Sequence, residues 1–272
     1  MLKEFFEKEK IEYYSAVKGI GEFIVNPNKL ARFTEDIQKP LAAIVFLCPY
    51  YQGENVNGGI SRYAFPRDYH LYFRELFGQL TKFSEKHGKE LRFAGFSDNS
   101  PFSEVRLAAS AGLGTVGRNG LLINEKYGSY IFIGEIVLSE NDAEGLAAQP
   151  GEARRCSGCG LCSALCPTGA LSGNPEKCLS YLSQKKKITS EEAELLRVNC
   201  CLWGCDKCQE VCPHNKNAAV SPIPFFSNDL ITELTPELLG EKTDFAQRLG
   251  ERAFSWRGYD VLKRNLDINK DK

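Results

Sequence analysis

Apolar and polar positions along this chain predict a series of discrete elements. Residues 41–48, LAAIVFLC, are an unbroken apolar run closed by Pro49, the pattern of a buried strand. From Asp68 onward, Tyr69, Tyr72, Phe73, Leu76, Leu80 and Phe83 recur every three or four residues. That spacing predicts an amphipathic helix, stopped near Gly88. LRFAGF (91–96) reads as a strand, SEVRLAASAGLG (103–114) as a helix ended by glycine, and the aromatic and β-branched SYIFIGEIVLS (129–139) as a further strand. Strands and helices mix through the first half, so the expected fold class is α+β, with an N-terminal α/β domain over 1–145. The polar, Gly- and Pro-containing ENDAEGLAAQPGEARR (140–155) predicts a connection to a cysteine-rich domain at 146–220. Residues 221–272 read as a C-terminal extension that packs on the other domains and ends in a short helix and a frayed tail.

Composition narrows the class. The 272 residues are 43% hydrophobic and 25% charged, an ordinary globular balance with room for a sizeable core. A formal net charge of −1 gives no global footprint for nucleic acid, although a local basic patch such as Lys185–Lys187 remains a candidate phosphate contact. The N-terminal MLKEFFEKEKIEYY lacks the apolar core of a signal peptide, and no stretch approaches the ~18 apolar residues of a membrane span. The expectation is a cytoplasmic protein without a membrane association. Its cysteines then meet a reducing compartment, where metal binding is expected rather than a disulfide framework.

Eleven cysteines are present, nine of them in two runs, with Cys178 between. Cys156, Cys159, Cys162 and Cys166, followed by Pro167, match C-x2-C-x2-C-x3-C-P, the spacing of bacterial ferredoxins. Cys205, Cys208 and Cys212 before Pro213 form a second set that lacks one member, and Cys178 is the candidate to supply it. Eight thiolates meet the requirement of two [4Fe-4S] clusters. In such motifs the fourth cysteine crosses to the other cube. That rule assigns Cys156, Cys159, Cys162 and Cys212 to one cluster, and Cys166, Cys178, Cys205 and Cys208 to the other. Zinc is the alternative, but it prefers two well-separated C-x2-C pairs. Cys48 reads as a small buried hydrophobe, and Cys200 or Cys201 could offer an alternative ligand. A bare electron carrier needs only about 60 residues around such clusters, so the preceding half implies a second cofactor or a substrate pocket.

The stretches SDNSPFSEVRLAASAGLGTVGRNGLLINEKYGSYIFIGEIVLSE (97–140), ISRYAFPRDYH (60–70), CLSYLSQ (178–184) and GCDKCQEVCPHNK (204–216) together resemble the epoxyqueuosine reductase family, from near the start to LKRNL at 262–266. The resemblance implies a base-off cobalamin in the N-terminal domain, reduced through the two clusters by a flavodoxin or ferredoxin-type donor. It implies removal of the epoxide oxygen of epoxyqueuosine in tRNA, by an enzyme acting as a monomer. The family's aspartate, the proton donor near the cobalt, falls on Asp98. A carboxyl beside an apolar macrocycle is desolvated, which raises its pKa and lets it donate a proton. Read without the resemblance, Asp98 in SDNSP is a turn or cap residue.

The resemblance also places Arg62, Tyr63, Arg118, Ser180 and Asp206 at cobalamin-facing positions. Arg118 stands where the family commonly has lysine. Glu104 is followed by Val105, with Arg106 one step later, where the family has arginine directly. Longer members continue into a C-terminal helical-repeat region that holds tRNA. His70 in DYHLYF lacks the glycine of the cobalamin-ligand signature, Phe73 standing in its place, and is not read as a cobalt ligand. The alternatives are a reductive-dehalogenase-like enzyme on another substrate, and a non-catalytic electron-transfer or corrinoid-reactivating protein.

Overall fold

The computed structural model describes residues 1–53, 58–144, 146 and 156–270. Most of the connection at 140–155 lies outside these residues. The chain divides into two compact units: one of 1–50, 72–158 and 217–223, the other of 51–71, 159–216 and 224–272.

The first unit is built on a four-stranded antiparallel sheet of order β1-β2-β6-β3. Its elements are α1 (Leu2–Lys8), β1 (Tyr14–Val17), α2 (Pro27–Phe33), β2 (Leu41–Pro49), α3 (Tyr69–Lys86), β3 (Ala94–Phe96), α4 (Glu104–Ser110), the short hairpin of β4 (Thr115–Val116) and β5 (Leu122–Ile123), and β6 (Ile131–Ser139). β2 is hydrogen-bonded on both edges, and Ala42 to Cys48 are all buried, which is why its sequence is apolar without alternation.

Two cores follow from the period-2 geometry of β2. On one face Phe46 packs with Phe6 and Phe73, ring centroids 5.4 and 6.0 Å away, and Phe5 meets Phe83 of α3 at 5.5 Å. Phe46 lies opposite Gly134, where an added Cβ would stand 2.3 Å from the Phe46 ring, so only glycine leaves room for it. On the other face Ala43, Val45 and Leu47 join Leu30 of α2, Phe96 of β3, Leu107 and Ala108 of α4 and Val137 of β6. Ile131 and Ile133 of β6 also pack on this second core. By the same alternation Glu135 points to that face, an acid set between Ile133 and Val137.

The second unit is made of short helices and loops: α5 (Leu161–Ala164), α6 (Leu179–Gln184), α7 (Ser190–Val198), α8 (Lys207–Glu210), α9 (Pro236–Leu239), α10 (Phe245–Leu249) and α11 (Tyr259–Ile268). The Thr189 hydroxyl and the Glu192 carboxylate form a capping box that starts α7. Buried Asn265 of α11 donates to the carbonyls of Ser183 and Leu202, at 2.8 and 2.7 Å, and so ties α11 to the end of α6 and to the loop before Cys205. Among the described residues no helix is long and apolar enough to cross a membrane.

Candidate functional site

In the first unit the loop from Ser97 to Ser103 links β3 to α4 and carries Asp98. Asp98 and Asn99 both have positive φ, 52° and 37°. Asp and Asn are among the few non-glycine residues that adopt this region readily, and consecutive cases still store strain. Several bonds hold the loop. The backbone N–H of Asp98 donates to the Glu104 carboxyl at the start of α4. Ser100 Oγ donates to Glu135 and accepts from the Phe102 N–H, while Lys29 Nζ donates to the Asn99 carbonyl. The amides of Val25 and Asn26 both donate to the Pro101 carbonyl, at 2.8 and 3.1 Å.

Asp98 is exposed at the loop tip, whereas the acids behind it are not. Glu135 is completely buried. Burial pushes its carboxyl up to about 7, against the opposing hydrogen bond from Ser100. Glu104 is pushed up to about 8, by burial first and then by the nearby charges of Glu135 and Asp98. Glu135 escaped the sequence reading, although an acid at a core-facing position of an apolar strand is a signal of its kind. Arg118 lies apart from this loop in sequence, exposed in the turn between β4 and β5, which is closed by the Gly117 N–H to the Leu121 carbonyl at 2.7 Å.

In the second unit the two cysteine motifs fold alike. Each of Cys159–Pro167 and Cys205–Pro213 carries a four-residue helix, α5 or α8, around its middle cysteine, and the two helices pack on each other. The Cys166 thiol is held below the usual thiol range by backbone N–H groups of Leu171, Thr168 and Ala170 and by the Thr168 hydroxyl, which outweigh its partial burial. Donors converging on sulfur favour the thiolate that a cluster needs. Burial raises Cys205, and the charge of Cys178 raises it further, so these two stand close together. Among the described residues no three His, Cys, Asp or Glu side chains already converge as a single-ion site. A cube is a larger body whose own sulfides complete the iron coordination. Cys48 is fully buried, Cys201 is buried with its Sγ 3.1 Å from the Gly204 carbonyl, and Cys200 is exposed.

Two of the residues singled out for cofactor contact, Arg62 and Asp206, meet directly, and a third, Tyr63, is held by Trp203. Residues 59–61 run beside 202–204, with Leu202 N–H on the Gly59 carbonyl and Ser61 N–H on the Trp203 carbonyl, both at 2.7 Å. Gly204 has φ 68°, and a Cβ there would come within 2.5 Å of the Ser61 Cβ, so glycine is required twice over. The buried Asp206 carboxylate accepts from Ser61 Oγ at 2.5 Å, from the Arg62 N–H at 2.7 Å and from Gln209 Nε2 at 3.1 Å. The Arg62 guanidinium reaches it at 3.4 Å and Glu210 at 2.9 Å. Burial is the strongest influence on Asp206 and leaves its pKa raised, opposed by these donors. Tyr63 Oη accepts from the indole N–H of fully buried Trp203 at 2.9 Å. Ser180 lies on α6, half-buried, where its carbonyl accepts from Ser183 and Gln184. Lys185 of the basic run is paired with Glu192 at 2.6 Å.

Asp206→Ala would leave Ser61, the Arg62 amide and Gln209 without their acceptor inside the unit. The expected cost is about 3–5 kcal/mol of stability, read as a lower urea midpoint of the reconstituted protein. Asp206→Asn, which keeps one acceptor oxygen, is expected to fall between the two.

Residues 155–215 match the family described as a 4Fe-4S double cluster binding domain. The curated epoxyqueuosine reductase of Lactococcus garvieae is 35% identical over 219 residues, which are 77% of this chain and 60% of that protein. That of Listeria monocytogenes is 34% identical over 222 residues, 78% of this chain and 56% of its own. The chain thus spans less than two thirds of these relatives. Among solved structures, the epoxyqueuosine reductase of Streptococcus thermophilus superposes with a TM-score of 0.72 at 24% identity, covering 98% of this chain and 79% of that one. An epoxyqueuosine reductase in complex with an epoxyqueuosine-modified tRNA-Tyr stem loop gives 0.73 at 23%, covering 98% and 80%. These likenesses establish a common fold.

Proposed function

This chain is related to the epoxyqueuosine reductases, and from that relationship we propose that it removes the epoxide oxygen of epoxyqueuosine in tRNA. The balance of such a step is two electrons and two protons in, one water out, and a cyclopentene left on the nucleoside. The observation that carries the reading is the strained Asp98–Asn99 turn, braced by buried acids, in the same chain as a double-cluster motif. Strain of this kind, held by surrounding bonds, is typical of functional loops.

In this reading the cysteines assigned above would hold two [4Fe-4S] clusters, which would supply one-electron transfer from a flavodoxin or ferredoxin-type donor. Cobalamin, when bound, supplies a cobalt centre able to take up those electrons and act on the epoxide carbon. The residues available to such a cofactor suit it. In the first unit Arg118 is exposed beside Gly120, where nothing lies within 4 Å of an added Cβ, so the backbone there is open to a flat ring. Asp98 holds the proton that the departing oxygen takes. The protein acts as a monomer in the cytoplasm.

The test is anaerobic. The full chain is reconstituted with iron, sulfide and cobalamin, reduced, and given tRNA carrying epoxyqueuosine, and the digested nucleosides are weighed. A product lighter by one oxygen supports the reading. An unchanged nucleoside, with both clusters reducible and cobalamin retained base-off, removes this substrate.

A further inference from the structure

We propose that Glu135 is a positioning residue for Asp98: with Glu104 it forms a buried carboxyl pair that latches the Asp98 loop while the pair holds a proton, and releases the loop when both acids ionise. The inference rests on the reading of Asp98 as proton donor, but the latch itself is a property of the first unit.

Three observations carry it. Each acid grips the loop at a different point, Glu104 through the Asp98 N–H and Glu135 through the Ser100 hydroxyl. Glu135 is fully buried, and one oxygen of each carboxyl, Oε1, is buried without a hydrogen-bond partner. A buried unpartnered carboxylate oxygen is costly, and a proton on either acid turns that acid into a donor. Finally, the surroundings offer little counter-charge. β3 has no titratable side chain, β2 has only Cys48, which lies opposite Phe132, and Arg106 of α4 is exposed. The cation that acts on Glu104 is Lys29 of α2, whose ammonium is engaged with the Asn99 carbonyl. A second negative charge there repels its neighbour.

The sign follows from the raised carboxyls. A folded-state pKa above the unfolded value of 4.5 favours the protonated form, so the stabilisation is present at low pH and is lost as pH rises. Glu135 ionises first, near 7, while still accepting from Ser100; the last proton leaves Glu104 near 8.

Hydrogen exchange of the 97–103 amides in the full, cluster-loaded chain tests the latch without substrate. From about pH 6.5 to about pH 9.5, after correction for intrinsic rates, wild-type protection at Asp98 and Phe102 is expected to fall roughly tenfold between about pH 7 and about pH 8 and to level off above, where both acids are already ionised. Glu135→Gln still accepts from Ser100 but carries no charge, and with Glu104 left as the single acid its fall is expected to be shallower and to end below about pH 8. Glu104→Gln is expected to do the same, and it decides the matter if Glu135→Gln does not fold. Flat wild-type protection, or the same fall in the variants, overturns the proposal. In turnover, the alkaline limb of the wild type is expected at or below about pH 8 and shallower in Glu135→Gln. A latch that behaves as described in a protein that deoxygenates nothing would remove the proposed substrate and leave the latch standing.

Discussion

Asp98→Asn is expected to leave iron content and cobalamin retention as they are and to lower single-turnover deoxygenation by about 10²–10⁴-fold, the usual weight of a positioned acid. Asparagine is the informative replacement because of the backbone. Asp98 sits at φ 52°, a region that asparagine tolerates and that alanine enters only with strain. The amide therefore keeps the loop and its N–H bond to Glu104 while removing the proton. Asp98→Ala, which strains the turn by about 1–3 kcal/mol, is expected to lose activity and also to loosen exchange across 97–103. Turnover undiminished in Asp98→Asn would take the acid role away from this residue. Loss of cobalamin in the same variant would make it a binding residue instead.

The second large effect is expected at Cys178. Cys178→Ser should lower bound iron from about eight atoms per chain to about four, remove one of the two cluster signals, and stop multiple turnover because the electron path is broken. Cys178 lies at the start of α6, outside both cysteine runs, and stands close enough to Cys205 for their charges to act on each other. Its half-buried position would bring a thiolate to the cluster assigned to Cys166, Cys205 and Cys208. Cys201→Ser and Cys48→Ala serve as comparisons, since both thiols are buried and burial pushes each far above the usual thiol range. Iron content unchanged in Cys178→Ser, or halved in Cys201→Ser, would reassign the ligand.

Local patterns in the chain carried much of the architecture. The apolar run at 41–48 is β2, the three- and four-residue spacing from Tyr69 is α3, and the β-branched segment at 129–139 is β6. The run at 91–96 shortens to Ala94–Phe96, because β3 pairs with β6 only across Val137 to Glu135. The helix is set by a periodicity of 3.6 residues, and the two long strands by runs of apolar and β-branched residues, which a linear sequence displays directly. The cysteine spacing is equally local, since its turns are written in consecutive residues.

Tertiary structure alone decided which charges share a low-dielectric interior. Glu135 reads as one acid in a strand until β6 is placed and its side chain is seen to point at the α2–α4 core, beneath a loop some 35 residues earlier. Asp206 and Ser61 are 145 positions apart, and no pattern in either segment announces that one carboxylate satisfies four donors. Sequence reports periodicity and propensity, which depend on neighbours a few bonds away. The pKa of a buried acid depends on what the folded chain brings within several ångströms of it, and on how much water it keeps out.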